Sequence, residues 1–390
     1  MTYRTLSSLV LVLCATLSGS LLAQTPGATT PKGTVDRIKV HGKSLEGNLE
    51  GDSPDRDVFV YLPPSYNANA NQRYAVVYML HGYGLTAERW MPFTKMAEAA
   101  DKNIATGTIK EMILVNPDAF TRYSGSMYST SPTIGDWETF IAEDLVSYVD
   151  SHYRTIPDRM SRGLGGHSMG GYGTVRIGMK RPDVFSSMYI MSACCLMNNP
   201  GAGGNRGGGA RGAAGAPGAT PAQPNPAQSA GNAASPAGPA GPAGAGGQGA
   251  PGGQGRGARG GRGGLGNTQA AEAAAWSSNP NNPPTFYDLP VVDGQAQPAI
   301  AAKWVANSPL AMVDQYLTSL KKYKAIMLEV GTQDTLAGSN RQLDERFTLL
   351  GIAHTFETYD GDHTNRVPVR IEEKVLPFFS NNLLFSAPRR

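Results

Sequence analysis

The stretch GHSMGG, residues Gly166–Gly171, forms a G-x-S-x-G pattern, which is typical of a sharp turn from a β-strand into an α-helix. Glycine is favoured on both sides of the serine because a β-carbon there would collide with the adjoining strand or helix. The pattern predicts that Ser168 is a nucleophile exposed at the turn, and that the backbone N–H of Met169 is one donor of an oxyanion hole. For the motif alone, a glycine-rich loop that contains a serine by chance is the alternative.

The sequence on both sides of this motif fits such a turn. Residues 160–165 form a short, weakly strand-like segment before it, and a helix is predicted over Tyr172–Met179 after it. Arg181-Pro182 ends that helix, because the residue before a proline avoids the α region. The apolar run 186–192 then predicts another buried strand. The order strand, turn, helix, strand favours the nucleophile.

A nucleophilic serine needs a histidine base and a carboxylate that orients the base. The apolar run 325–330 predicts a strand, and Asp334 comes just after its end. A helix over 339–350 and an alternating strand over 354–359 follow, and His363 comes after that strand. Since both residues fall on loops that follow strands, in the order expected for a serine, acid, histidine triad, we expect them to meet Ser168.

Other residues fit the base and acid roles less well. His354 begins a strand instead of following one. His167 adjoins the serine, but consecutive side chains diverge at such a turn, so we expect His167 to pack in the interior. Asp360 and Asp362 lie too close to His363 in sequence to orient it and are expected to shape the turn.

A second oxyanion donor is expected in the loop after an early strand. The apolar run 73–80 leads directly into His81-Gly82-Tyr83-Gly84, where glycines allow the backbone to approach a substrate oxygen. The N–H of Tyr83 is the candidate donor, with Gly82 and Gly84 as alternatives. His81 is expected to be structural, with its ring bonded to the backbone. A plain hairpin turn is the alternative interpretation of this segment.

Two further segments suggest substrate contacts. Residues 136–153 have apolar side chains at helical spacing and predict an amphipathic helix. Trp137, near its start, either lines the substrate pocket or belongs to the core. The apolar run 113–116 predicts a strand, and Tyr123, with Ser124 and Tyr128, lies on the loop after it and is a candidate substrate contact.

In this order, the segments resemble the esterase D-like family of the α/β-hydrolases, which includes feruloyl, acetyl-xylan and enterochelin esterases, S-formylglutathione hydrolases and mycolyltransferases. The matching stretches are VYMLHGYG (77–84), ILVNPDA (113–119), residues 136–153, residues 166–192, GTQD (331–334) and GDH (361–363). The resemblance implies an α/β fold with a mostly parallel sheet flanked by helices. It also implies transfer of an acyl group without metal or organic cofactor, with Ser168, Asp334 and His363 as nucleophile, acid and base.

The chain departs from that family in two places. Ser192-Ala193-Cys194-Cys195 replaces a common serine–glycine pair, and residues 200–275 lengthen the spacing between nucleophile and acid. Those residues are almost entirely Gly, Ala, Pro, Gln, Asn and Arg, and cannot bury enough apolar area to offset an ordering cost of about 1–2 kcal/mol per residue. We predict a disordered, solvated linker at the position where many α/β-hydrolases carry a cap over the active site. Its glycine period is broken and its Arg-Gly end lacks interleaved aromatic residues, so neither collagen-like structure nor nucleic-acid binding is expected.

The first 23 residues predict a cleaved signal peptide. Arg4 precedes the apolar run 9–17, and small residues follow up to Ala23. The apolar run is too short for a membrane span, and Leu13 before Cys14 disfavours a lipoprotein site. An uncleaved anchor is the alternative. We therefore expect a secreted or periplasmic protein with no stable membrane insertion after cleavage.

The remaining residues, roughly 290, suit one domain in two parts, 24–199 and 276–390. The net charge of +3 comes from the signal peptide and the linker, so it does not indicate a nucleic-acid partner. Cys194 and Cys195 are adjacent, and neighbouring α-carbons lie about 3.8 Å apart, below the usual disulfide span. Free, buried thiols are expected, with a strained redox-active pair as the alternative. No metal-ligand spacing or phosphate-binding loop occurs in the sequence.

Together these features predict a secreted serine esterase that acts on a small-molecule or polysaccharide-linked ester, such as a feruloyl or acetyl ester. An acyltransferase that uses the same triad and a non-catalytic binding protein on the same fold are the alternatives. The sequence determines neither the ester nor the oligomeric state.

Overall fold

A computed structural model describes residues 31–197 and 268–386. Its centre is an eight-stranded sheet with the order β1-β2-β4-β3-β5-β6-β7-β8. The strands are β1 Thr34–His41, β2 Asp55–Leu62, β3 Ala75–Leu80, β4 Met112–Pro117, β5 Arg162–His167, β6 Ser187–Met191, β7 Ala325–Gly331 and β8 Thr355–Tyr359. The six strands β3 to β8 are parallel to one another, and β1 and β2 extend one edge in antiparallel pairing.

Helices cover both faces of this sheet. They are α1 Ala87–Thr94, α2 Met96–Ala105, α3 Trp137–Thr139, α4 Leu145–His152, α5 Met169–Lys180, α6 Gln269–Trp276, α7 Pro298–Ala306, α8 Pro309–Met312, α9 Leu317–Leu320, α10 Ala337–Leu349, α11 Val367–Arg370 and α12 Leu376–Asn382. The π-helical turns Phe140–Asp144 and Ile371–Val375 join α3 to α4 and α11 to α12. Short two-residue hairpins, Thr130–Ser131 with Gly135–Asp136 and Val291–Val292 with Gln295–Ala296, lie outside the sheet.

The core consists of two layers, one on each face of the sheet. Side chains of α3 to α7 and α10 form the larger layer, which includes Trp137, Trp276 and Phe347. Those of α1, α2 and α11 to α12 form the other layer around Trp90 and Phe379. This is the mostly parallel sheet flanked by helices that the sequence predicts.

The predicted strands and helices around the site are present, with small shifts at their ends. Helix α5 begins at Met169, three residues earlier than predicted, and β5 ends at His167, two residues later than predicted. Its glycines have weak strand propensity but are required by packing, since a β-carbon at Gly163 would lie 2.5 Å from the ring of Phe379. The strand β1 and the helices α1 and α2 were not predicted.

The end of the segment predicted to be disordered is helical instead. In α6 the side chains of Ala271, Ala273 and Ala274 are fully buried, and the Trp276 ring packs edge-on against Trp304 at 5.5 Å. The prediction was wrong here because alanine is the best helix former and Trp276 supplies the buried apolar area. Up to residue 267, the predicted linker lies outside the described residues, as does the predicted signal peptide.

The chain segments that carry the predicted site share one edge of the sheet. The strands β3, β5, β7 and β8 are parallel, so the loops that follow them lie at the same carboxyl edge. Within 31–197 and 268–386, no helix is both long and apolar enough to cross a bilayer.

Candidate active site

Ser168 is the residue at which β5 turns into α5. Its backbone has φ 58° and ψ −114°, a region that an L-residue occupies only when the surrounding structure enforces it. Here the Ser168 N–H donates to the carbonyl of Met191 at 3.0 Å, and the Ser168 carbonyl accepts the N–H of Tyr172 at 2.9 Å. These bonds to β6 and α5 hold the strained turn and leave the hydroxyl at its tip.

Glycine is required on either side of this turn. A β-carbon at Gly166 would lie 2.4 Å from the carbonyl oxygen of Gly170, and one at Gly170 would lie 2.0 Å from the carbonyl oxygen of Leu80. Both neighbours are backbone atoms, which cannot move aside as a flexible side chain can. The collision expected from the sequence is therefore present, and it fixes how closely α5 approaches β3.

In the predicted triad, His363 is within hydrogen-bond distance of both Ser168 and Asp334. The Nε2 atom of His363 lies 2.9 Å from the Ser168 Oγ, and its Nδ1 atom lies 2.8 Å from Oδ2 of Asp334. The second oxygen of Asp334 accepts the N–H of Leu336 at 2.8 Å. The Asp334 side chain is fully buried, whereas 21% of the His363 side chain is exposed.

The charge state of this chain of groups follows from its surroundings. Burial favours the neutral form of Asp334, but the hydrogen bond and charge of His363, with the Leu336 N–H, keep the pKa of Asp334 below its usual value. An ionised Asp334 accepts a hydrogen bond from Nδ1–H of His363. The lone pair of the imidazole is then on Nε2, where it can accept the Ser168 hydroxyl proton.

His167 contacts His363, the predicted base. The Nε2–H of His167 donates to the backbone carbonyl of His363 at 2.7 Å, and the two rings lie 4.7 Å apart. Its other face stacks on Trp90 at 5.9 Å. Burial, with the nearby His363, lowers the pKa of His167 to about 3, so the ring is neutral at ordinary pH. His167 is interior, as expected, and it also bonds to the loop that carries the base.

The loop after β3 lies against Ser168, the predicted nucleophile. A β-carbon at Gly82 would lie 3.5 Å from the Cβ of Ser168. The Gly84 N–H already donates to the carbonyl of Ser124 at 2.9 Å, which argues against Gly84 as an oxyanion donor. Met169 is the first residue of α5, where an N–H has no acceptor within the helix.

His81 determines the orientation of the peptide unit between Gly82 and Tyr83. Its Nε2 accepts the N–H of Ala119 at 2.8 Å, so its Nδ1 carries the proton and donates to the Gly82 carbonyl at 2.9 Å. In a trans peptide the N–H points opposite to the carbonyl. The Tyr83 N–H therefore points away from the His81 ring. The expected bonding of that ring to the backbone is present.

Of the two proposed substrate contacts, one is buried. Trp137 is 1% exposed, and its Nε1–H donates to the carbonyl of Ile134 at 2.9 Å. Trp137 therefore belongs to the core. Its assignment to the substrate pocket was wrong, because neighbouring side chains cover the start of the helix. Tyr123 is half-buried, packs edge-on against Tyr287 at 5.4 Å and donates from its hydroxyl to the carbonyl of Thr285 at 3.0 Å.

The Tyr123 loop nevertheless adjoins the site. A β-carbon at Gly125 would lie 2.5 Å from the Met169 Sδ and 2.9 Å from the Tyr83 ring. Beyond Tyr287, a surface groove of about 540 Å³ is lined by residues 282–300, and none of the triad residues lines it. Tyr123 thus belongs to a loop that adjoins Tyr83 and Met169, and its ring contacts Tyr287 at the groove.

Sequence reasoning missed Glu272 as a neighbour of Cys195, just after β6. Helix α6 buries this carboxyl, and its Oε1 lies 3.5 Å from the Cys195 Sγ and 2.8 Å from the Thr268 hydroxyl. The available signal was that Glu272 is the single acidic residue in 200–275. In the part of the chain that the structure describes, no group of three or more His, Cys, Asp or Glu side chains is arranged to bind a metal ion.

Comparisons with known proteins agree with this architecture. A model of the family described as "Putative esterase" matches residues 53–367. The chain is 30% identical over 141 residues to an endo-1,4-beta-xylanase/feruloyl esterase of Xylanibacter ruminicola. That match covers 35% of this chain and 19% of the relative, so this chain spans about a fifth of the relative's length.

Solved structures share the fold at low sequence identity. A ferulic acid esterase superposes with a TM-score of 0.58 at 19% identity, covering 90% of this chain and 99% of that one. The fluorophosphonate-binding serine hydrolase FphF of Staphylococcus aureus superposes with a TM-score of 0.55 at 14% identity, with coverage of 90% and 99%. The predicted α/β-hydrolase fold is confirmed.

Proposed function

This chain belongs to the family described as "Putative esterase", and we propose that it hydrolyses carboxylic esters with Ser168 as nucleophile. The observation that carries the proposal is the continuous hydrogen-bonded chain from the Ser168 hydroxyl through His363 to Asp334, with distances of 2.9 and 2.8 Å. A buried carboxylate, an oriented imidazole and a hydroxyl at a strained turn are the parts that acyl transfer requires.

In the proposed reaction, the Ser168 oxygen attacks the ester carbonyl as its proton passes to Nε2 of His363. The resulting imidazolium is stabilised by the charge of Asp334. The tetrahedral oxyanion accepts hydrogen bonds from the N–H groups of Met169 and Tyr83, each typically worth about 3–4 kcal/mol. The tetrahedral intermediate collapses, and the alcohol leaves with the proton from His363. Water, activated by the same imidazole, then hydrolyses the acyl-enzyme and restores Ser168.

The proposed substrates are feruloyl, acetyl or similar esters of small molecules or polysaccharides. One curated relative and one superposed structure are named as feruloyl or ferulic acid esterases, which supports aromatic acyl groups as the first to examine. Tyr123 is the proposed substrate contact, because its loop abuts both proposed oxyanion donors. The signal-like composition of residues 1–23 supports export to the periplasm or the medium.

The proposal is tested by replacing the nucleophile. Ser168→Ala should lower the kcat for a short p-nitrophenyl ester by about 10⁴-fold to 10⁶-fold. A matched control is Ser151→Ala at the end of α4, since that exposed hydroxyl bonds to carbonyls of its own helix and lies outside the site. Wild-type turnover by Ser168→Ala would refute the assignment.

Products from a panel of feruloyl, acetyl and aliphatic esters, with and without an added alcohol, separate a hydrolase from an acyltransferase.

A further inference from the structure

Cys194 and Cys195 lie close together just after β6. Their sulfur atoms are 2.7 Å apart. In extended backbone, consecutive side chains point to opposite sides, which would separate the two thiols. Here Cys195 has φ 58°, in the left-handed region that non-glycine residues rarely adopt. This local conformation brings both side chains to the same side of the chain.

The pair is hydrogen-bonded to the turn that carries Ser168. The Cys194 N–H donates to the backbone carbonyl of Ser168 at 3.1 Å, and the Cys194 side chain is buried. Cys195 is half-buried, and its sulfur lies 3.5 Å from Oε1 of Glu272. The second thiol is therefore the more accessible one, and both positions are fixed by contacts outside their own loop.

We propose that Cys194 and Cys195 are a redox modification site that closes to a vicinal disulfide. The sulfurs need to approach by less than about 1 Å to reach the bond length of about 2.05 Å. In exchange with a small-molecule disulfide, the thiolate of Cys195 attacks one sulfur of the reagent and releases one thiol. The Cys194 sulfur then attacks the mixed disulfide at Cys195 and releases the second thiol. Two protein thiols are oxidised, and one reagent disulfide is reduced to two thiols.

The surroundings of the pair determine its reactivity. The hydrogen bond with Cys194, then burial, then the Glu272 carboxyl, raise the pKa of Cys195 well above its usual value. Among the described residues, the Tyr172 hydroxyl also faces Cys195. Since only the thiolate attacks, closure is slow at neutral pH and becomes faster as pH rises. The short span between adjacent residues strains the ring, so mild reductants reopen it.

The test is a mass measurement on the full chain carrying Cys14→Ser, which leaves Cys194 and Cys195 as its cysteines. The folded protein is incubated with oxidised glutathione, alkylated in denaturant and digested with trypsin. A single peptide, residues 181–206, carries both cysteines. We expect this peptide to lose two hydrogens and take no alkyl group, and to take two alkyl groups after reduction. Cys194→Ser and Cys195→Ser should each stop at a glutathione adduct or a free thiol.

The control for geometry is the same protein oxidised in urea. Without the folded backbone, the strained ring should form less readily, and the ratio of ring to glutathione adduct should fall by about tenfold. Two alkyl groups on the oxidised folded protein, a covalent link between two chains, or an equal ratio in urea would each overturn the proposal. Because the readout is mass, its outcome does not depend on ester hydrolysis.

Discussion

The replacement His167→Phe tests whether the bond to the His363 carbonyl positions the base. Phenylalanine retains an aromatic ring between Trp90 and His363 but has no Nε2–H to donate across the 2.7 Å contact. Leaving a buried carbonyl without its donor should lower the free energy of unfolding by about 1–3 kcal/mol. A displacement of the base by about 1 Å can cost up to 10²-fold in rate. We expect kcat for a p-nitrophenyl ester to fall by about 10-fold to 100-fold, with KM nearly unchanged.

Two further variants separate positioning from general destabilisation. His167→Gln places an amide N–H near the original Nε2 and should recover most of the lost kcat. His354→Phe is the matched control, because His354 also contacts a backbone carbonyl, that of Ile352 at 2.8 Å, but lies outside the site. It should lower the free energy of unfolding without changing kcat. Wild-type kcat for His167→Phe, equal loss of kcat for both phenylalanine variants, or no recovery with glutamine would refute the reasoning.

Three other outcomes follow from the same geometry. Asp334→Asn should lower kcat by about 10⁴-fold with little effect on stability, because an amide no longer holds the required tautomer of His363; steady-state kinetics check this. Gly170→Ala should destabilise the fold by more than about 3 kcal/mol in urea titrations, because its β-carbon would lie 2.0 Å from the carbonyl oxygen of Leu80. The folded pKa of His167, about 3, lies below the unfolded value of 6.5, so its contribution to stability is complete above pH 6.5 and decreases as pH falls toward 3. Between pH 6.5 and 4, the free energy of unfolding from urea titrations should therefore fall more in the wild type than in His167→Phe, by up to about 3 kcal/mol.

The parallel strands and the three proposed catalytic side chains could be predicted because each signal is local. The runs before Asp334 and His363 are apolar or alternating, and a residue just after a parallel strand lies at the carboxyl edge of the sheet. The bond from the His81 ring to the Gly82 carbonyl could also be predicted, since it lies within the loop that His81 begins, whereas the bond from the Ala119 N–H joins a more distant segment. The predicted end of β5 was wrong because glycine has little strand propensity. Glycine is required at position 163 by the ring of Phe379, which comes much later in the chain.

The bond from His167 to the base could not be predicted in the same way. Local geometry correctly shows that its side chain diverges from Ser168, but not that the carbonyl of His363, 196 residues later, accepts the hydrogen bond from its Nε2–H. Likewise, the burial of Trp137 depends on the guanidinium of Arg56, which comes much earlier in the chain and lies 5.1 Å above its ring. Such contacts between distant residues decide whether an aromatic side chain near a helix start faces a pocket or the core.

The wrong prediction at α6 has a different physical origin. It rested on the average composition of residues 200–275, which does not show that the last of them precede Trp276. Ordering each residue costs about 1–2 kcal/mol, and glycine or alanine alone returns little buried area. Trp276 changes that balance for the residues next to it: it is 4% exposed, contacts Trp304 and Tyr172, and donates from Nε1–H to the Ser129 hydroxyl at 3.2 Å. Because a helix forms cooperatively, one anchored aromatic residue can order the preceding two turns of alanine. A helix at the end of such a tract should therefore be placed from the aromatic residue that follows the tract backward over the adjoining alanines, which here includes Glu272 beside Cys195.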